Sequence, residues 1–370
     1  MILTNEKLKE YVADIVSMSK LSLDSFNVTR DNVVGLVDKI GKILTLDTDL
    51  RIDKLNKFDG EYLSFGKTIE EWQEDLTMPS QFDASGEGAL TPSFPTYRPV
   101  FYSYTLGRYK FKKSVPYGNI ERAVHNESQF VEVVSMIYKR LEDSVAQYRY
   151  ALKRDIFGKL AKLAVDTMDT SNATAYAIET AFDVGDIVYN STNIAVVYQK
   201  ITATNTKTFA EALADGLLVK LDLVTELAKP SDATSGENFV MQLKKDVEVA
   251  GDISQGHSFN GNCLGAVNGL TLITLQGVSP VVDVKTLAGA FHEEKVAIPC
   301  EMISVPDFGA DAPSKVWAIL VDNRGVRLHN TYNATRENPN GDGDFLNIFR
   351  HLEHTGYVSR NTFIKVYKSA

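Results

Sequence analysis

His351 and His354 stand three residues apart, the spacing at which two imidazoles share one helical face and begin a zinc site. Zinc wants a third ligand close by, and Glu353 would point elsewhere on a helix, so the two read as an exposed histidine pair. GHSFNG (256–261) has the outline of a nucleophile turn, but Asn260 stands where the second glycine of that motif belongs, and Ser258 is not read as a nucleophile. In NPNGDGD, the residues Asn338, Asn340, Asp342 and Asp344 alternate oxygen-bearing side chains as a Ca²⁺ loop does. Phe349 stands where such a loop needs its bidentate glutamate, and a solvated turn is the expectation. Lys110, Lys112 and Lys113 form a small basic cluster, either a solvated strand edge that discourages wrong pairing or a contact for acidic groups on a neighbour. EEWQED (70–75) has the right sign for that neighbour. No GxxxxGK[ST] phosphate loop occurs, and Gly86-Glu87-Gly88 is an isolated pair. No acid–base constellation emerges, so the sequence points to no enzyme, no cofactor and no metal.

The element that must organise such a chain is Glu127 to about Met168. Phe130, Val133, Val134, Ile137, Leu141, Val145, Tyr148, Leu152, Ile156, Leu160 and Leu163 follow the three-and-four spacing of one helical face. Lys139, Arg140, Glu142, Asp143, Arg149, Lys153, Arg154 and Asp155 are expected to keep the other face wet. Gly158 is the one weak position. Roughly 40 residues at about 1.5 Å each make a rod near 60 Å long. That suits a spine through a flat subunit, with a coiled-coil arm as the alternative.

Before it, residues 4–19 and 30–44 read as two short helices of an N-terminal arm (1–50). Residues 51–118 then change character. An outgoing arm runs to a Gly/Ser/Pro-rich tip (78–95). A returning arm (98–116) sets Phe101, Tyr109, Phe111 and Val115 against Arg108, Lys110 and Lys112 with the period of a strand. Two arms joined by a tip make a long β-hairpin. A lone ribbon is marginal in water, so this one must lie on something, either a larger sheet or a neighbouring subunit.

After the spine, 182–228 reads as a self-contained insert: strands at 186–189, 194–201 and 217–224, with a short helix at 208–215 stopped by Gly216. PSDATSG (230–236) looks like a linker break, and 237–253 an amphipathic helix. LTLITL (270–275) is a buried strand. A short helix is expected at 284–294 and strands at 300–305, on either side of the Asn323–Gly325 turn, and at 362–367. A short helical or extended bridge is expected after NPNGDGD. Helices and strands alternate without a βαβ rhythm, which makes the fold α+β.

Composition narrows the class. The net charge of −9 argues against tight gripping of nucleic acid, though not against enclosing it. The two cysteines, Cys263 and Cys300, are too few for a disulfide framework. No apolar run approaches the ~20 residues of a membrane span, and the charged N-terminal stretch does not read as a signal peptide.

The order of parts resembles the major capsid proteins of tailed bacteriophages with the HK97-like fold, closest to those of small podovirus-type phages. GKTIEEWQEDL (66–76), FYSYTLGRYKFKKSVPYGNIERAVHNESQF (101–130), LAGAFHEEKVAIPCEMISVPDFG (287–309) and VWAILVDNRGVRLHNTYNATRENPNGDGDFLNIFRHL (316–352) carry the resemblance. It implies an N-terminal arm (1–50), an extended loop (51–118) and a peripheral domain with the spine helix (119–181). It also implies a small β-rich insertion (182–230), an axial domain (231–313) and return strands (314–370). It further implies a shell of pentamers and hexamers around double-stranded DNA, made in the bacterial cytoplasm and carried in the virion. Scaffolding and portal proteins are open partners; sequence-specific DNA binding and membranes are not expected. Inter-subunit contacts would fall on Trp72, Phe101, Tyr102, Tyr104, Tyr109, Lys110, Phe111, Lys112 and Lys113. Two other functions fit parts of the sequence: an encapsulin-type compartment shell, and a glycan-binding or decorating virion protein.

Overall fold

The computed structural model describes residues 53–64, 68–72, 100–102, 104–116, 127–252, 254–263, 265–266, 269–285 and 298–370. The helices expected at 4–19 and 30–44 and the hairpin tip at 78–95 lie outside the described residues. The chain divides into two compact units. One comprises residues up to Gly66, Thr105–Lys153 and Leu328–Thr355; the other comprises Lys67–Tyr104, Arg154–Arg327 and Gly356–Ala370.

Helix α1 (Glu127–Thr167) is the expected spine, and it contributes residues to both units. In the first unit a three-stranded sheet runs in the order β14 (Val326–Asn340), β15 (Phe345–Val358), β3 (Tyr104–Pro116). The returning arm of the hairpin is therefore built into a sheet. Pro339, which cannot donate to a ladder, falls on the edge strand β14. The segment around a single helical turn at Asn56–Phe58 runs beside β14: Gly60 and Leu63 donate their backbone N–H groups to the carbonyls of Leu328 and Asn330 at 2.9 Å. A side chain at Gly60 would strike the His329 ring.

The second unit holds a five-stranded sheet, β12 (Glu301–Val305), β11 (Leu270–Leu275), β13 (Val316–Asp322), β16 (Ile364–Lys368), β8 (Val224–Glu226). Every residue of β13 is buried, as the continuous apolar run VWAILVD requires. Helices α3 (Ala233–Gly251) and α4 (Val278–Lys285) supply Phe239, Leu243, Val278 and Val282 to its core. The Phe239 ring stands edge-on to Trp317 at 4.9 Å and to Tyr367 at 5.6 Å. The two buried polar tips find partners: Trp317 Nε1 donates to the Leu227 carbonyl, and the Tyr367 hydroxyl to Asp246 at 2.6 Å.

A smaller sheet orders β4 (Thr174–Ala175), β5 (Ile187–Asn190), β6 (Asn193–Val197), β7 (Leu218–Lys220), with α2 (Phe209–Ala214) packed on it. Thr208 and Glu211 form a reciprocal capping box at the start of α2. Strand 217–224 of the sequence reading divides, since Val224–Glu226 leave the insert and pair parallel with β16.

One expected helix starts earlier. PSDATSG is no linker: Asp232 caps α3 through the Ser235 N–H at 2.8 Å, so the helix starts four residues before 237. A helix without a counterpart among the expected elements spans Val278–Lys285, with Pro280 in its first turn where the ring is tolerated, and most of the helix expected at 284–294 lies outside the described residues. The bridge after NPNGDGD is a long strand, β15.

Candidate assembly surfaces

The outgoing and returning arms meet where the sequence places them. Strand β1 (Ile69–Glu71) pairs antiparallel with β2 (Val100–Tyr102): Ile69 faces Tyr102, Glu70 faces Phe101 and Glu71 faces Val100. This ladder is tied to the turn before β16 by one side chain. Glu71 accepts from the Ser359 hydroxyl at 2.5 Å and from the Arg360 N–H at 3.4 Å. Burial first, and then the Glu71 carboxylate, push the Tyr357 phenol well above its ordinary range. The tie leaves the next residue outward, and Trp72 is 61% exposed. Of Phe101, Tyr102 and Tyr104 only the backbone is described, so their side chains lie outside the described set.

Beyond Gly107, strand β3 sorts its side chains by parity. Tyr109 and Phe111 face the spine, their rings 4.9 and 5.6 Å from Tyr148. Arg108 and Lys112 lie on the other side of the sheet, Arg108 over the Tyr332 ring at 3.9 Å and Lys112 over Phe349 at 5.8 Å. Lys110 falls between them. Lys113, adjacent to Lys112, falls on the opposite face, so the basic cluster of the sequence is split in two.

The spine's polar face is not wet as expected. Lys153 is 0% exposed, and its ammonium lies 2.5 Å from Asp53 and 2.5 Å from Asp59. Arg149 reaches the same Asp59 at 2.9 Å. Glu142 sits 3.5 Å from Arg350 of β15. Burial raises the Glu142 pKa, against the pull of Arg350 and Arg149, and burial lowers that of Arg350. Lys139 and Arg140 do remain outside. The reason lies in what the helix meets: Asp53 and Asp59 of the segment beside β14, and on β15 the buried Arg350 and His354 set among Leu346, Ile348 and Leu352.

His351 and His354 therefore share no helical face. They lie on a strand, three apart, and point to opposite sides. His351 stacks beside Phe349, while His354 is fully buried. Desolvation, with Arg149 and Lys153 nearby, takes His354 down to about 4. Asn340 is consumed by its own turn, accepting from the N–H groups of Asp342 and Gly343 at 3.0 Å. Among the described residues no His, Cys, Asp or Glu group could hold a metal ion. GHSFNG turns out to be packing. Side chains at Gly256 and Gly261 would strike the Lys220 carbonyl and Val196, so both glycines let this loop lie against β6 and β7. Ser258 is buried within it. Of these features, the Glu71 tie and the Lys153 cluster carry no local sequence signal.

A spine helix, a paired hairpin base, a small inserted sheet and a mixed five-stranded sheet define a capsid subunit of the HK97-like fold. The structure is similar to one in the capsid of Staphylococcus phage Andhra, with a TM-score of 0.58 at 10% identity over 86% of this chain and 84% of that one. It is also similar to one in the capsid of cyanophage P-SCSP1u, with a TM-score of 0.50 at 8% identity, covering 85% and 86%. At such identities the likeness is one of fold. The sequence goes further: residues 6–364 match the Phi29-like phage major capsid protein family, and the chain belongs to it. No curated protein sequence matches the chain. It is thus a major capsid protein of a tailed phage and a part of the virion, rather than an encapsulin-type or glycan-binding protein. No described helix is long and apolar enough to cross a membrane.

Proposed function

We propose that this subunit forms pentamers and hexamers that close into an icosahedral head around double-stranded DNA. The family match over residues 6–364 carries this reading. The net charge of −9 supports a lining that encloses DNA without holding it, since each phosphate contact adds salt-sensitive affinity. The protein acts without catalysis or cofactor, is made in the host cytoplasm, and assembles with separate scaffolding and portal proteins. Residues 119–181 serve as the peripheral domain, 231–313 as the axial domain and 314–370 as strands returning to both. The 182–230 insertion stands on the outer surface. The arms at 51–118 reach a neighbouring subunit, with Trp72, Tyr109, Phe111 and the strand lysines near the contact. Obligate interfaces of this kind bury roughly 2,000–5,000 Å² each.

Electron microscopy of the purified protein after size-exclusion chromatography, with and without coexpressed scaffolding protein, tests the reading. Closed shells or five- and six-membered rings are expected, and deleting 82–93 is expected to prevent closure. A subunit that stays monomeric in both preparations refutes it.

A further inference from the structure

The face of the first unit's sheet turned away from the spine is basic along its β3 edge. Arg108, Lys110 and Lys112 recur at every second residue, about 6.8 Å apart along a strand. All three are exposed, and none forms an ion pair with a described residue. Arg336 lies on the same face of β14 by its alternation with Tyr332, and it too is exposed. The acidic side chain at an outward position of β15, Glu353, is buried. In a chain carrying nine more negative charges than positive, this is a local reversal of sign.

The chain also holds the complement of that face. On β1, Glu71 turns inward to Ser359. Its neighbours on the other side, Glu70 and Trp72, are both exposed and have the same two-residue spacing. An acid and an indole at that repeat match two consecutive cations of β3, the carboxylate to a guanidinium or ammonium and the ring to its neighbour. Nucleic acid would also suit the cations. Two of the cations, however, already stand over rings of their own sheet, Arg108 over Tyr332 and Lys112 over Phe349.

We propose that the Arg108–Lys110–Lys112 face of one subunit receives the Glu70–Trp72 edge of a second copy. Trp72 packs on the central Lys110, and Glu70 pairs with Arg108 or Lys112. This rests on the shell reading and names the partner of the basic strand within it. The contact is between exposed charges, so salt weakens it, and it selects orientation more than it adds affinity.

Charge reversal tests it in the full-length protein coexpressed with its scaffolding protein. The variant Arg108→Glu/Lys110→Glu/Lys112→Glu alters exposed side chains and is expected to keep the wild-type circular dichroism. Its yield of closed particles on a sucrose gradient is expected to fall about tenfold or more. Adding Glu70→Lys and Trp72→Lys to that variant is expected to recover much of the loss, whereas those two changes alone lower it. Wild-type yields from the triple variant overturn the proposal, as does a defect that the swap leaves untouched. Normal shells that protect less DNA from nuclease also overturn it and assign the face to nucleic acid. Wild-type protein that never closes refutes the shell reading instead.

Discussion

Replacing Lys153 with methionine should loosen the first unit far more than a surface lysine would. The ammonium is fully buried and lies 2.5 Å from both Asp53 and Asp59. Asp53 is itself buried, and without Lys153 its Oδ2 loses this partner while Oδ1 keeps the Leu55 N–H at 2.8 Å. Asp59 is more exposed and retains Arg149 at 2.9 Å. The penalty therefore falls on one uncompensated buried carboxylate, about 3–5 kcal/mol. Lys153→Met/Asp53→Leu removes that charge and should recover about 2 kcal/mol, less than the whole because the Leu55 N–H then lacks an acceptor. Trp72 and Trp317 both belong to the second unit, so tryptophan fluorescence reports on the wrong region. Hydrogen exchange of amides in 53–63 and β15 reads the effect directly. About 1.4 kcal/mol per tenfold puts the single variant about two to three and a half orders of magnitude faster, with the double variant in between. Exchange within threefold of wild type in Lys153→Met would refute the cluster as the fastening of that segment.

His354 gives a pH dependence of definite sign. Its folded pKa is depressed from 6.5 to about 4, so the contribution is complete above about 6.5 and is lost as pH falls towards 4. The full loss is about 3 kcal/mol. Glu142, raised by burial, acts in the opposite sense, so the quantity to measure is wild type minus His354→Leu between pH 7.5 and 4.5, which should slope as stated. Gly158→Ala should lower the unfolding temperature although it favours the helix by about 1 kcal/mol. The new methyl would strike the Phe308 carbonyl oxygen and approach its carbon to 3.1 Å and Ala312 Cβ to 3.2 Å, and such overpacking costs about 1–3 kcal/mol. An unchanged or higher melting temperature would show that the loop yields freely. Thr208→Ala removes the capping box of α2 and should cost about 1 kcal/mol, seen as faster exchange confined to 209–214.

The elements most legible in the sequence are those whose buried faces are purely apolar. LTLITL and VWAILVD announce themselves as strands because nothing polar interrupts them, and the spine's stripe of Leu141, Val145, Leu152, Ile156 and Leu160 is buried as its spacing requires. The capping box at 208–211 and Gly216, with φ +70°, bound α2 where the pattern puts it. Legibility fails where the inward face is polar. Arg350 and His354 interrupt the alternation of β15, and Arg149 and Lys153 look like solvent-facing helix residues until their partners from 53–59 and 350–354 are placed beside them. Those partners lie about 90 to 200 residues away in sequence, beyond any local pattern. The basic strand shows the same limit in miniature. Lys110, Lys112 and Lys113 are one cluster in the sequence and two faces in the fold, because a strand separates neighbours.

The two units are fastened by different physics, and the difference suits a subunit that must adopt one shape in many copies. The five-stranded unit is held by Phe239, Trp317 and Tyr367 among aliphatic neighbours, a core that tolerates repacking if its volume is kept. The spine unit places Lys153, Arg149 and Glu142 against Asp53, Asp59 and Arg350. Such buried ion pairs add little net stability, since desolvation offsets much of the attraction. What they impose is register. A one-residue slip of β15 would carry Arg350 and His354 to the opposite face and leave Glu142 without its cation, an error costing several kcal/mol. In a strand that is buried on both faces, such as β13, the same slip largely exchanges one apolar side chain for another and costs less. On this argument the polar core fixes where the basic edge of β3 stands relative to the spine, since β3 takes its register from β15 through the Ser114 hydroxyl, which donates to Asn347 at 2.6 Å.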